Sequence, residues 1–89
     1  GEYLALHVAD CLGCHSPRDW TKPWGPVLPG LEGAGGAPMA EADGVPGVAV
    51  PGNLTPDEET GLGHASDGAL LRGLREGVGH DGRALFPVM

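Results

Sequence analysis

Both cysteines of this 89-residue chain fall in one pentapeptide, Cys-Leu-Gly-Cys-His at positions 11–15. Whatever those side chains hold constrains the fold more than any other feature of the chain. A Cys-x-x-Cys pair alone fits a redox dithiol or half of a zinc site. Structural zinc takes four ligands, and beyond Cys11, Cys14 and the histidines no partner pair exists. A thioredoxin-like dithiol belongs beside a βαβ pattern, and no β-rich apolar run is present. A disulfide between the two would close a trivially short loop. The adjoining His15 favours a third chemistry. In C-x-x-C-H two thiols add across the vinyl groups of a haem, and the histidine comes under the iron as an axial ligand.

Such a group would answer a deficit in the rest of the chain. Seventeen glycines and nine prolines leave one Phe, one Tyr and two Trp to fill a core. A domain this small usually needs a staple, and a haem supplies apolar mass. The net charge of −7 argues against a nucleic-acid partner and for a basic partner surface. Arg72, Arg75 and Arg83 crowd the last fifth of the chain, where a local positive rim is expected. No stretch has the length of a transmembrane helix, and the chain is expected to be a mature piece without a signal region ahead of Gly1.

Leu4, Val8, Cys11 and His15 recur at helical spacing, which predicts a short helix running into the pentapeptide. Residues 16–53 turn rich in Pro and Gly without a sustained period, a long loop expected to wrap a cofactor. Thr55 as N-cap, Pro56 at the first helical position and Glu58 predict one or two helical turns ending at Gly61. Ser66 and Asp67 open a second helix whose Leu70, Leu71, Leu74 and Val78 form one stripe, with Gly77 and Gly79 as its stop. The final DGRALFPVM reads as a turn and an extended run, since Pro87 bars a helix from reaching Met89.

The segments WGPVLPGL (24–31), PGNLTPDEETGLG (51–63) and LREGVGHDGRALFPVM (74–89), taken with CLGCH, resemble class I c-type cytochromes. They are most similar to the single-haem domains or subunits of bacterial periplasmic dehydrogenases and respiratory chains. The resemblance implies a mainly α, small cytochrome c fold over residues 1–89, with short helices and a long Pro/Gly loop around one haem c. It implies that Cys11 and Cys14 carry the haem, that the Pro26 carbonyl orients His15, and that Leu28 packs on the haem. Two departures stand out: relatives place a tryptophan just after the position of Gly63, where this chain has His64 and Ala65, and they continue past the methionine into a further helix. The natural chain is therefore expected to extend beyond residue 89, with its C-terminal helix missing here.

Met39, Met89, His7, His64 and His80 are the candidates for the sixth iron ligand. Met89 matches the family position and follows Pro87 on an extended run; Met39 reads as a loop residue, and His64 and His80 as solvated turn histidines. A thioether opposite imidazole raises the potential and suits electron transfer. The expectation is a one-electron transfer protein, not an enzyme in itself, with His15 and Met89 on the iron. Its partners would be a dehydrogenase, an oxidase or another cytochrome, on the periplasmic or extracytoplasmic side of a bacterial membrane. The alternative is a haem protein with an open or exchangeable sixth site, peroxidase-like or gas-binding.

Overall fold

In the computed structural model, which describes residues 1–87, the regular elements are helical. They are α1 (Leu4–Val8), α2 (Cys11–Cys14), a 3₁₀ turn at Glu41–Asp43 and α3 (Asp67–Glu76). The only β features among the described residues are isolated antiparallel bridges, Arg18 with Val27, Met39 with Ala49, and Val78 with Ala84. The mainly α class expected from the sequence is what the structure has, and it is consistent with a small cytochrome c-like fold. None of the described helices is long and apolar enough to cross a membrane.

The amino-terminal helix is broken where the sequence predicted continuity. α1 is widened to a π-type turn, closed by the Ala9 N–H donating to the Leu4 carbonyl at 2.8 Å. Asp10 then takes a left-handed conformation, φ 49°, before α2 begins. A short polar side chain tolerates that backbone better than most residues. The extra residue in the turn rotates Leu4 and Val8 off the line of Cys11 and His15. Tyr3, Leu4 and Val8 are exposed, so α1 offers its apolar face to solvent.

α3 forms where its caps predict. The Ser66 hydroxyl accepts the Ala69 N–H at 3.2 Å, and Gly77 closes the helix at φ 66°. Leu70 and Val78 are half-buried, whereas Leu71 and Leu74 stand 52% and 76% exposed. The stripe is thus present and only partly covered.

The helix expected over 55–61 does not form; nested turns replace it. Asn53 Oδ1 accepts both the N–H and the hydroxyl of Thr55, at 2.8 and 2.7 Å, so Asn53 caps the segment that Thr55 was expected to cap. Asp57 Oδ2 accepts the N–H of Thr60 at 2.7 Å, its hydroxyl at 2.9 Å and the N–H of Glu59 at 3.2 Å. Asp side chains that capture nearby amides compete with the helical ladder. Here they leave one i→i+4 bond, from the Gly61 N–H to the Asp57 carbonyl at 3.1 Å.

Residues 16–53 form the predicted loop, folded back on itself in two lobes. In the first, the Leu28 N–H donates to the Pro17 carbonyl at 3.0 Å and the Asp19 N–H to the Pro26 carbonyl at 2.9 Å. In the second, Met39 and Ala49 exchange both backbone bonds around the 3₁₀ turn and bury Val45 to 5% exposure. The total accessible surface is 6648 Å². A folded monomer of this size shows about 4900 Å², so the chain leaves much apolar surface uncovered by its own side chains.

The Asp57 turn gives a pH-dependent prediction. The Thr60 N–H, and then the Thr60 hydroxyl, hold the Asp57 carboxyl below its ordinary value of 3.8. A depressed folded pKa contributes stability above the unfolded value and loses it as pH falls through the folded one. An NMR titration should place the Asp57 midpoint below 3.8, and Thr60→Val should move it part of the way back. Separately, Ser66→Ala should cost about 1 kcal/mol in denaturant unfolding by removing the cap of α3.

Candidate functional site

Cys11 opens α2 and Cys14 closes it, so one helical turn sets the spacing of the two sulfurs. Both thiols are free, Cys11 half-buried and Cys14 exposed. His15 follows as the C-cap, its N–H donating to the Cys11 carbonyl at 3.0 Å. The turn is held from outside by Arg18, whose Nε donates to the Gly13 carbonyl at 3.1 Å.

The chain leaving Cys14 is clamped between two other segments. The Gly35 N–H donates to the His15 carbonyl at 2.9 Å, and the Gly33 N–H to the hydroxyl of buried Ser16 at 3.0 Å. The Gly36 N–H reaches the Pro51 carbonyl at 3.0 Å and the Leu54 N–H the Gly33 carbonyl at 2.7 Å. Gly36 passes so close to the Cys14 carbonyl oxygen that a Cβ there would collide with it.

This layering sets the imidazole. His15 Nδ1 lies 2.8 Å from the Gly52 carbonyl. A carbonyl only accepts, so Nδ1 carries a proton in this contact, and in the neutral ring Nε2 is the nitrogen left with the lone pair. The acceptor differs from the expected one. The Pro26 carbonyl is turned toward the Asp19 N–H by the bridge between Arg18 and Val27, while the 51–54 segment lies beside the end of α2. Pro26 is exposed and Leu28 half-buried on that first lobe. Met89 lies outside the described residues. Met39 is half-buried in the wall of a cavity of about 350 Å³ that it shares with Gly13, Cys14 and Arg18. His64 and His80 are exposed, and His7 on α1 has its ring 5.9 Å from that of Tyr3.

These residues fit a c-type haem. Among the described residues no three His, Cys, Asp or Glu side chains converge as a protein-only metal site would require. The chain supplies two unpaired thiols on one turn and one imidazole with a fixed tautomer, which is the donor set for a macrocycle that brings its own equatorial nitrogens. A second cavity of about 350 Å³, between α3 and residues 84–87, is walled by Leu74, Leu85 and Phe86 and offers further apolar surface. Gly52 was not legible as a site residue, because a backbone carbonyl has no side-chain signature. Only the Pro-Gly turn preceding Asn53 marked the segment.

No protein-family model matches the chain. Along its full length it is 38% identical to the gluconate 2-dehydrogenase cytochrome c subunit of Pantoea cypripedii. It is 33% identical, again over 89 residues, to the cytochrome c subunit of the quinone alcohol dehydrogenase of Gluconobacter oxydans strain 621H. Over 80 residues it is 40% identical to one of the subunits of the nicotinate dehydrogenase of Pseudomonas putida. The chain spans 17%, 16% and 6% of those three proteins respectively.

The clamp on Cys14 predicts opposite outcomes at two glycines. Gly36→Ala should destabilise the mature protein by about 1–3 kcal/mol, because the obstacle is backbone and cannot rotate away. Gly52→Ala, with open space around its Cα, should leave thermal stability nearly unchanged.

Proposed function

We propose that this chain, a relative of the cytochrome c subunits of bacterial dehydrogenases, binds one haem through thioethers at Cys11 and Cys14 and transfers single electrons. The observation that carries the reading is the pair of free thiols on one turn of helix, followed by an imidazole whose Nδ1 is anchored to Gly52. When bound, the haem supplies an iron that cycles between ferrous and ferric states, and the protein's part is ligation, orientation and burial.

His15 would hold the iron through Nε2, with the Gly52 carbonyl, 2.8 Å from Nδ1, setting the ring plane and raising the basicity of Nε2. Pro26 and Leu28, on the lobe tied to Pro17 and Asp19, wall the same side. Met89, which follows Leu85, Phe86 and Pro87 in the sequence, would hold the iron through its thioether. A soft sixth ligand favours the reduced iron and raises the potential. The electron donor is a dehydrogenase, as the names of the relatives indicate, and the acceptor an oxidase or another cytochrome. Thioether formation places maturation on the extracytoplasmic side of the membrane, in the periplasm.

Attachment is tested by acid organic extraction with intact mass. The mature protein should retain one haem, while Cys11→Ser and Cys14→Ser should each leave a single thioether and retain haem less well. Complete release from the unmodified protein would overturn the reading. Ligation is tested separately. Met89→Ala should lower the midpoint potential and admit cyanide or imidazole, whereas Met39→Ala should do neither. A five-coordinate spectrum of the unmodified protein would instead indicate an open sixth site and the peroxidase-like or gas-binding alternative.

A further inference from the structure

The Gly52 carbonyl that meets His15 Nδ1 at 2.8 Å is not held by packing at its own residue. Gly52 is exposed, and a Cβ built on it would meet nothing within 4 Å. The carbonyl belongs to the planar peptide unit joining Gly52 to Asn53, so its direction follows from ψ of Gly52 and φ of Asn53. A glycine tolerates more than one orientation of that plane. The preceding peptide is fixed by the Gly36 N–H, which donates to the Pro51 carbonyl at 3.0 Å. The unit that carries the Gly52 oxygen must then be set from the Asn53 side.

Asn53 is half-buried, and its side-chain amide makes three hydrogen bonds. Oδ1 accepts the Thr55 N–H at 2.8 Å and the Thr55 hydroxyl at 2.7 Å, while Nδ2 donates to the Thr60 hydroxyl at 2.9 Å. A backbone N–H only donates, so the amide oxygen must be the atom that faces Thr55. The Thr60 hydroxyl in turn donates to Asp57 Oδ2 at 2.9 Å. An asparagine that accepts from the N–H two residues ahead forms an Asx turn, which restricts its backbone together with its side chain. One residue further on, the Leu54 N–H is tied to the Gly33 carbonyl at 2.7 Å.

We propose that Asn53 is a positioning residue for the iron site, holding the Gly52–Asn53 peptide so that the Gly52 carbonyl faces His15 Nδ1. The inference rests on the haem reading above and deepens it. The Asn53 amide is spent on Thr55 and Thr60, so its effect on the imidazole passes through the backbone carbonyl. With that carbonyl in place Nε2 is more basic and supports ferric iron; with the peptide free to turn, His15 loses a fixed acceptor and the balance moves toward ferrous iron.

The test compares Asn53→Ala and Asn53→Ser with the unmodified mature protein by redox titration and by NMR of the His15 Nδ1–H in the reduced state. Asn53→Ala should shift the oxidation equilibrium severalfold toward the ferrous form, move the Nδ1–H resonance upfield and speed its exchange with solvent. Asn53→Ser adds no charge and keeps an oxygen able to accept the Thr55 N–H, though more weakly, so it should recover part of both readings. Ser66→Ala, which removes a cap on α3 instead, should leave both where they are. If Asn53→Ala lowers thermal stability while resonance and potential stay at the unmodified values, Asn53 only staples the loop and the proposal is overturned. A serine variant no nearer to the unmodified protein than the alanine variant overturns the hydrogen-bond route. If neither Asn53 variant matures, Thr60→Val decides: it removes the acceptor of Nδ2 and should move both readings the same way by less, and readings that do not move overturn the proposal. Failure of the haem reading itself would be visible first, as an intact mass without a haem adduct.

Discussion

The close stacking of backbone on backbone at the exit of α2 is the constraint on which the rest of the site depends. Gly36 lies against the Cys14 carbonyl, Gly35 bonds the His15 carbonyl, and the 51–54 segment bonds Gly33 and Gly36. Three stretches distant in sequence are thereby joined with almost no side chain between them. The imidazole of His15 meets the Gly52 carbonyl because this layer brings residue 52 to it. The glycine-rich run GAGG at 33–36 is thus a device for close approach, not a flexible linker.

A fold held this way has little conventional core. Val45 is the one large aliphatic side chain buried among the described residues, while Leu71, Leu74, Leu85 and Phe86 remain open to solvent. Hydrogen-bonded loops fix geometry but contribute little net stability, because each bond replaces one to water. The apolar surface that would contribute more lies in two cavities, one beside Cys14 and one between α3 and residues 84–87. The haem proposed above would convert that surface into burial at about 25 cal/mol per Å². On that proposal maturation and stability would be one event, as they are for small domains that fold around a metal.

What was legible in the sequence followed side-chain chemistry. CLGCH stood out as the candidate site by residue type and spacing, and α3 declared its ends through Ser66 and Gly77. The failures share a physical cause. At 55–61 the caps were read as opening a helix, yet Asn53 and Asp57 hold the amides and hydroxyls locally and the ladder stops after one bond. In α1 the 3.6-residue period fails within Leu4–Val8 itself, which is π-type, and left-handed Asp10 separates that turn from Cys11. The acceptor of His15 was sought in a rigid proline loop because only prolines and glycines are visible to sequence reasoning. Which carbonyl faces the ring depends on how two loop lobes pack, and that is a tertiary outcome.

The same distinction applies to charge. Three of the five basic residues are neutralised by near neighbours, Lys22 by Asp19, Arg72 by Glu76 and Arg83 by Asp81. The positive rim expected from the clustering of Arg72, Arg75 and Arg83 is therefore reduced to Arg75. Arg18 faces inward on backbone carbonyls. Surface ion pairs of this kind add little to stability, but they remove their cations from the far field. What remains is an excess of carboxylates, so the long-range field of the chain is net negative. A net negative field of this kind would favour a basic docking face, and its effect would weaken with salt.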